Sequence, residues 1–324
     1  MTGAARPRCY ELYGLHVRSE VPLAAPTSRA AQTDVEIRWG HELSPIPGEP
    51  LGRTVAQLVL GVHCGYTHVA TPDGEYVLRY EGVCDVVVEA SRRVLRVHLA
   101  AGGDQRMVPL ILAGNALAFW LTLAGECPLH ASAVAVDGCA IAFAAGAGGG
   151  KSTLAALLCA NGASFVTDDL LRLEEAAGAI RCFRGPPQVR LRRNAAPLIA
   201  SLPSRAVGRT VDGRSAVWLG AAARGAQPVL GAIVIPRPER NRTTLDAKRL
   251  SQAQALLALL QSARVAGLKD AELRRAQFEG LRRVAQLVPV YEAHIPWGPP
   301  FAPELPGAIV EAVCPQVALA GVTT

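Results

Sequence analysis

Cys139-Ala140-Ile141-Ala142-Phe143-Ala144-Ala145-Gly146-Ala147-Gly148-Gly149-Gly150-Lys151-Ser152-Thr153 is the stretch that decides how this 324-residue chain is read. Its first six residues are short and apolar, as in a buried strand. Leu154-Ala155-Ala156-Leu157-Leu158-Cys159-Ala160 comes next and opens a helix, which Asn161-Gly162-Ala163 stops. Strand, glycine loop, Lys-Ser and helix together make the arrangement that a nucleoside triphosphate needs. Gly146, Gly148, Gly149 and Gly150 let the backbone turn its N–H groups toward phosphate oxygens, and the helix N-terminus adds positive dipole character. Lys151 can reach the β- and γ-phosphates. Ser152, followed by Thr153, can complete a Mg²⁺ shell. The usual pattern begins with glycine, whereas this loop begins with Ala145.

Two neighbouring stretches extend the reading. Downstream, Ser164-Phe165-Val166-Thr167-Asp168-Asp169 is a second apolar run ending in paired carboxylates. One can hold Mg²⁺ and the other can accept the proton of an attacking hydroxyl. Neighbouring side chains on a strand face opposite ways, so the two converge only if the chain turns there. Upstream, Leu129-His130-Ala131-Ser132-Ala133-Val134 places His130 one hairpin before the loop, with Asp137-Gly138 as the turn signal. That spacing returns the histidine to the phosphate end of the sheet.

Composition bounds the rest. Hydrophobic residues make up 50% and charged residues 19%, so the chain is globular rather than disordered. The net charge is +6, carried by arginine apart from Lys151, Lys248 and Lys269. No basic run is interleaved with aromatics, and no nucleic-acid partner is expected. The 8 cysteines form no C-x-x-C pair and read as buried free thiols. The stretch from Met1 to Pro7 lacks an apolar signal core, and the expected location is the cytoplasm. The apolar segment 108–125 carries Pro109, Gly114 and Asn115 and is short for a membrane span. It reads as a buried helix, and no membrane partner is expected.

The organisation expected is a β-rich domain over 1–103 and a phosphate-loop domain over 104–324. Strand patterns fall near 34–39, 55–60, 76–80, 83–89 and 94–99. His63 and His68 lie on strand patterns without acidic or thiol partners and read as ordinary histidines. A helix is expected over 107–125, strands near 180–183, 189–193, 216–219, 230–235 and 288–294, and helices over 251–263 and 271–287. The remainder of 201–228 reads as loop, and the stretch after Pro296 as a proline-rich tail.

The residues 129–173 resemble the C-terminal domain of HPr kinase/phosphorylase. Leu129-His130, Asp137-Gly138, Gly148-Gly149-Gly150-Lys151-Ser152-Thr153-Leu154, Asn161-Gly162-Ala163 and Thr167-Asp168-Asp169 carry the likeness. They are similar in particular to HPr-kinase-like proteins of bacterial clusters for ribosomally made peptides, lasso peptide kinases among them. Tyr10-Glu11-Leu12-Tyr13-Gly14-Leu15-His16-Val17-Arg18-Ser19-Glu20 also resembles the opening of those proteins.

The resemblance implies an α/β fold: a P-loop, HPr-kinase-like C-terminal domain with a mixed sheet, preceded by a smaller β-rich domain. It implies ATP and Mg²⁺ as cofactors and transfer of a phosphoryl group to a serine hydroxyl. The acceptor would be a peptide or small protein, for instance a ribosomally made peptide, with homo-oligomer formation left open. The catalytic residues implied are Asp168 as base, His130 at the γ-phosphate and Lys151, with Ser152 and Asp169 on the metal. One departure is that Arg184-Gly185-Pro186-Pro187-Gln188-Val189-Arg190-Leu191-Arg192-Arg193 lacks the acidic metal ligand that the bifunctional enzymes carry after the paired aspartates. This speaks against phosphorolysis and against HPr as acceptor. The arginine cluster itself, together with Arg214, offers anion-binding groups. The alternative function is a nucleotide-binding adaptor that presents a peptide to partner enzymes without chemistry.

Overall fold

In the computed structural model, residues 6–40, 48–59, 65–192, 195–202, 206–211, 213–219 and 227–316 are described. His63 and Arg193 lie outside them. The chain divides into two compact units, Met1–Glu126 with Val265–Gln277 and Cys127–Arg264 with Phe278–Thr324.

The first unit holds an eight-stranded sheet: β1 (Arg8–Leu12), β2 (Leu15–Ser19), β3 (Val35–Trp39), β4 (Arg53–Val59), β5 (Gly65–Ala70), β6 (Tyr76–Tyr80), β7 (Cys84–Val88) and β8 (Val94–Leu99). Their order is β1-β2-β3-β8-β7-β6-β5-β4. β3 pairs parallel to both β2 and β8, and the other neighbours are antiparallel. Alternation buries one face: Val35 and Ile37 of β3 and Leu95 and Val97 of β8 are all fully buried. β1 and β2 carry no turn dipeptide of the usual kind, so their hairpin was not legible; Tyr13 and Gly14 supply it with φ of 56° and 72°.

Helix α1 (Gln105–Leu123) belongs to this unit, whose first segment runs to Glu126. The Tyr13 hydroxyl donates to the Ala113 carbonyl at 2.8 Å, and the Tyr80 hydroxyl donates to Asn115 Oδ1 at 2.8 Å. Phe119 meets His68 edge-to-face at 4.5 Å. α1 is long and apolar enough to cross a membrane, but 61% of its apolar window is buried inside the molecule, as in a core helix.

The second unit is built on a mixed sheet. Its strands are β9 (Ala131–Val136), β10 (Cys139–Ala144), β11 (Ser164–Thr167), β12 (Leu173–Ala176), β13 (Ala179–Cys182), β17 (Val229–Glu239), β18 (Asp246–Arg249) and β19 (Val290–Pro296). The order is β11-β9-β10-β17-β13-β12, with β19 pairing β17 and β18 pairing β19. β10, β17 and β19 run parallel, so their C-terminal ends point the same way. β14 (Gln188–Leu191), β15 (Ala206–Arg209) and β16 (Ser215–Trp218) form a separate sheet in the order β14-β16-β15. The helices are α2 (Lys151–Ala160), α3 (Ala196–Ser201), α4 (Gln252–Gln261), α5 (Ala271–Leu287), whose residues up to Gln277 fall in the first unit, and α6 (Leu305–Val313).

The mixed sheet is covered on both faces, which its period-two pattern explains. Val134, Val136, Ile141, Phe143, Ala232 and Val234 point to the face covered by α2 and α6. Ala131, Ala133, Ala135, Ala140, Ala142, Ile233 and Ile235 point to the face covered by α4 and the later turns of α5. The alanines on that second face remove bulk and let the helices approach closely. The proline-rich tail expected after Pro296 instead contains α6. Pro306 lies in its first turn, where a missing N–H costs nothing, and Leu305, Ile309, Val310 and Val313 are buried.

Candidate functional site

The glycine loop joins the C-terminal end of β10 to the first residue of α2. Gly148 and Gly150 have φ of +86° and +85°, the left-handed region that glycine enters without strain. Gly150 is also the N-cap of α2, and a Cβ there would lie 2.5 Å from the Trp297 ring. Lys151 heads the helix. Its Nζ donates to the Ala145 carbonyl at 2.8 Å and the Gly146 carbonyl at 3.0 Å, so the ammonium lies over the loop. Burial pulls its pKa down, opposed by the charges of Asp168 and Asp169. Thr153, two residues on, is half-buried in the first turn.

The twin carboxylates are parted by a turn. Asp169 has a φ of +78°, and the Thr167 hydroxyl donates to the Leu170 carbonyl at 2.7 Å, closing the bend after β11. Asp168 therefore faces α2. Its Oδ1 accepts from Ser152 Oγ at 2.7 Å and Ser132 Oγ at 2.6 Å, and its Oδ2 accepts from the Arg190 amide at 3.0 Å. Asp169 faces the other way, with Oδ1 3.3 Å from His130 Nε2 and Oδ2 2.8 Å from Arg264 and 3.1 Å from Arg190. The fold thus brings Ser152 to Asp168, and not to Asp169 as the expected metal pair had it. Adjacent side chains at a strand end face opposite ways, and the left-handed turn at Asp169 does not bring the two carboxylates together.

His130 is held by its backbone. Its amide donates to the Ser262 carbonyl at 2.7 Å, while the flanking Leu129 exchanges hydrogen bonds with Leu171 at 3.0 and 2.9 Å. This places the ring, 28% exposed, beside Asp169. Burial lowers the His130 pKa, against the pull of Asp169, so the ring is neutral at neutral pH. Burial pushes Asp169 upward, but Arg264, the His130 hydrogen bond and Arg190 outweigh it and hold the carboxyl well below the usual range.

Further cations frame the loop. An Arg192 guanidinium nitrogen lies 3.8 Å from the point where a Gly148 Cβ would stand, and Arg214 and Arg264 are among the charges that act on Lys151. Arg184, by contrast, donates to the Phe165 carbonyl at 2.8 Å and is structural. Ser132 and Arg264 were not singled out from sequence. Ser132 sits within the quoted β9 run, whereas Arg264 lies 95 residues from its partner with no local pattern to mark it.

The donor set suits the cofactors expected. Ser152 Oγ and the Asp168 carboxylate are hard oxygens side by side. Mg²⁺ takes one or two carboxylates and leaves its other positions to water and phosphate oxygens. Among the described residues no group of three or more His, Cys, Asp and Glu side chains gathers as a metal cage. The positive loop surroundings suit a polyanion.

No family model matches the chain, and no curated protein matches it. Among solved structures it is similar to the HPr(Ser) kinase/phosphatase from Coxiella burnetii, at 16% identity and a TM-score of 0.29 over 58% of this chain and 88% of that one. A likeness this distant assigns no role to any residue, and the chemistry of the site rests on its own side chains.

Proposed function

We propose that the chain binds ATP at the glycine loop and transfers its terminal phosphoryl group to a serine hydroxyl of a peptide or small protein. One observation carries the reading. Asp168–Ser152, a hard-oxygen pair, lies at the first turn of the helix that follows the loop, and His130–Asp169, a proton-handling pair, is tied to it through Arg190, whose amide meets Asp168 and whose guanidinium meets Asp169. The motif resemblance over 129–173 points the same way.

The residues divide the work by where they sit. The loop amides and Lys151 hold the phosphates and stabilise the charge of the transferring group. Ser152 and Asp168 hold Mg²⁺, which supplies charge neutralisation to the phosphate oxygens when bound. His130, neutral and turning Nε2–H to Asp169, keeps Nδ1 as acceptor for the hydroxyl proton. Asp169, fixed by Arg190 and Arg264, stabilises the imidazolium that forms. This moves the metal role from Asp169 to Asp168, beside Ser152, and the base role from Asp168 to His130, beside Asp169.

The test is intact mass after incubation with ATP, Mg²⁺ and candidate peptides. A phosphate added to a serine supports the reading. ATP hydrolysis without acceptor, or nucleotide binding with no mass gain on any peptide, opposes it. With an acceptor in hand, His130→Gln is expected to lower kcat by about 10²–10⁴-fold and to remove the acid limb of the kcat/KM profile. If Asp168→Asn removes that limb and His130→Gln does not, Asp168 is the proton acceptor.

A further inference from the structure

Away from the glycine loop, two thiols meet on the mixed sheet. Cys139 is the first residue of β10, and Cys314 caps the C-terminus of α6. Their sulfurs are 2.9 Å apart, under an ångström beyond the ~2.05 Å of a disulfide. The fold makes room for them with a glycine. A Cβ on Gly231 of β17 would lie 2.2 Å from Cys139 Sγ and 2.9 Å from Cys314 Sγ. Gln316 Nε2 donates to Cys314 Sγ at 3.1 Å.

The two sulfurs differ in access and acidity. Cys139 is half-buried, whereas Cys314 is fully buried. Hydrogen bonds from Cys314, Gln316 and the Gly231 backbone, against burial, hold the Cys139 thiol down to about 7. Cys314 is pushed upward by the same contact. Burial pushes Cys84 and Cys159 up to about 12, which makes them poor nucleophiles.

We propose that Cys139 and Cys314 are a redox pair that hydrogen peroxide converts to an intramolecular disulfide, tying the start of β10 to the end of α6. The Cys139 thiolate attacks one peroxide oxygen, the O–O bond breaks, and the released hydroxide takes up a proton as water. The resulting sulfenic acid is attacked by the Cys314 sulfur. The S–O bond breaks, and the hydroxyl leaves as a second water with the Cys314 proton. In sum, two thiols and one peroxide give one disulfide and two waters, the sulfurs losing two electrons. A dithiol reductant reverses the bond by exchange. β10 runs from this pair into the glycine loop, so the bond anchors the strand at the end away from the phosphates.

The experiment treats the full chain with equimolar hydrogen peroxide, alkylates it in denaturant and maps its peptides without reduction. The expected outcome is a loss of two hydrogens, linked peptides carrying Cys139 and Cys314, and restoration by dithiothreitol. Cys139→Ser is expected to abolish the linked pair, and so is Cys314→Ala. Circular dichroism reports whether each variant folds, and Cys139→Ser, at the more exposed position, decides the matter if Cys314→Ala does not. Both thiols remaining alkylatable after peroxide, or Cys139 linking to another cysteine or a second molecule, would overturn the proposal.

Discussion

At the scale of single residues, burial sets two histidines apart. His130 keeps a carboxylate partner and an exposed edge. His68 is fully buried among Tyr66, stacked at 4.5 Å, Tyr80 and Phe119. Burial, opposed by Asn115, lowers its pKa to about 3. Between pH 6.5 and about 3 the unfolded chain binds a proton at His68 that the folded chain refuses, so stability falls as pH drops through that window. The expected slope from this residue is up to about 1.4 kcal/mol per pH unit. His68→Phe keeps a ring in the box and removes the proton. Urea unfolding at pH 7, 6, 5 and 4 is expected to give the variant a shallower loss than the parent, and parallel curves would remove His68 as the cause. The candidate residues legible in the sequence are those tied to a local motif, namely Lys151, Ser152, the twin aspartates and His130. Arg264 was not legible, because its role depends on a contact spanning 95 residues.

At the scale of elements, the glycine loop works because backbone and neighbour agree. Gly150 is left-handed and lies under Trp297, which comes directly after β19. An alanine there meets two costs, a left-handed φ worth about 1–2 kcal/mol and a collision with the indole. Gly150→Ala is therefore expected to lower thermal stability by at least that amount and to weaken ATP binding, read by calorimetric titration. Unchanged binding and stability would mean that the loop is not held as described. The strand before the loop and the helix after it were plain in sequence, because one is a short apolar run and the other begins at a phosphate-binding signature. α6 was not. Three prolines lie between Trp297 and Leu305, and the cue that rescues the helix, an apolar stripe at 305, 309, 310 and 313, matters only with a sheet face to cover.

At the scale of the whole molecule, two compact units mean that ligand energy need not spread evenly. ATP with Mg²⁺ at about 100 times its Kd is expected to stabilise the binding unit by about 2.7 kcal/mol. Hydrogen exchange should then slow in 127–264 and 278–316 more than in 6–126, and Lys151→Ala should abolish the effect. Equal slowing in both units, or slowing that survives Lys151→Ala, would place the ligand elsewhere. The sequence by itself determined the mixed α/β character, the β-rich first part, and the run of residues from His130 to Asp169 in which nucleotide chemistry could be sought. Each of these rests on local patterning, which the backbone expresses within a few residues. The tertiary structure alone decided which aspartate faces the Ser152 hydroxyl and which faces the histidine, where the first unit ends, and that Cys139 lies against Cys314. These depend on a left-handed turn at Asp169, on a helix packing against a sheet and on a missing side chain at Gly231, and side chains brought together over long chain separations leave no periodic trace in the chain.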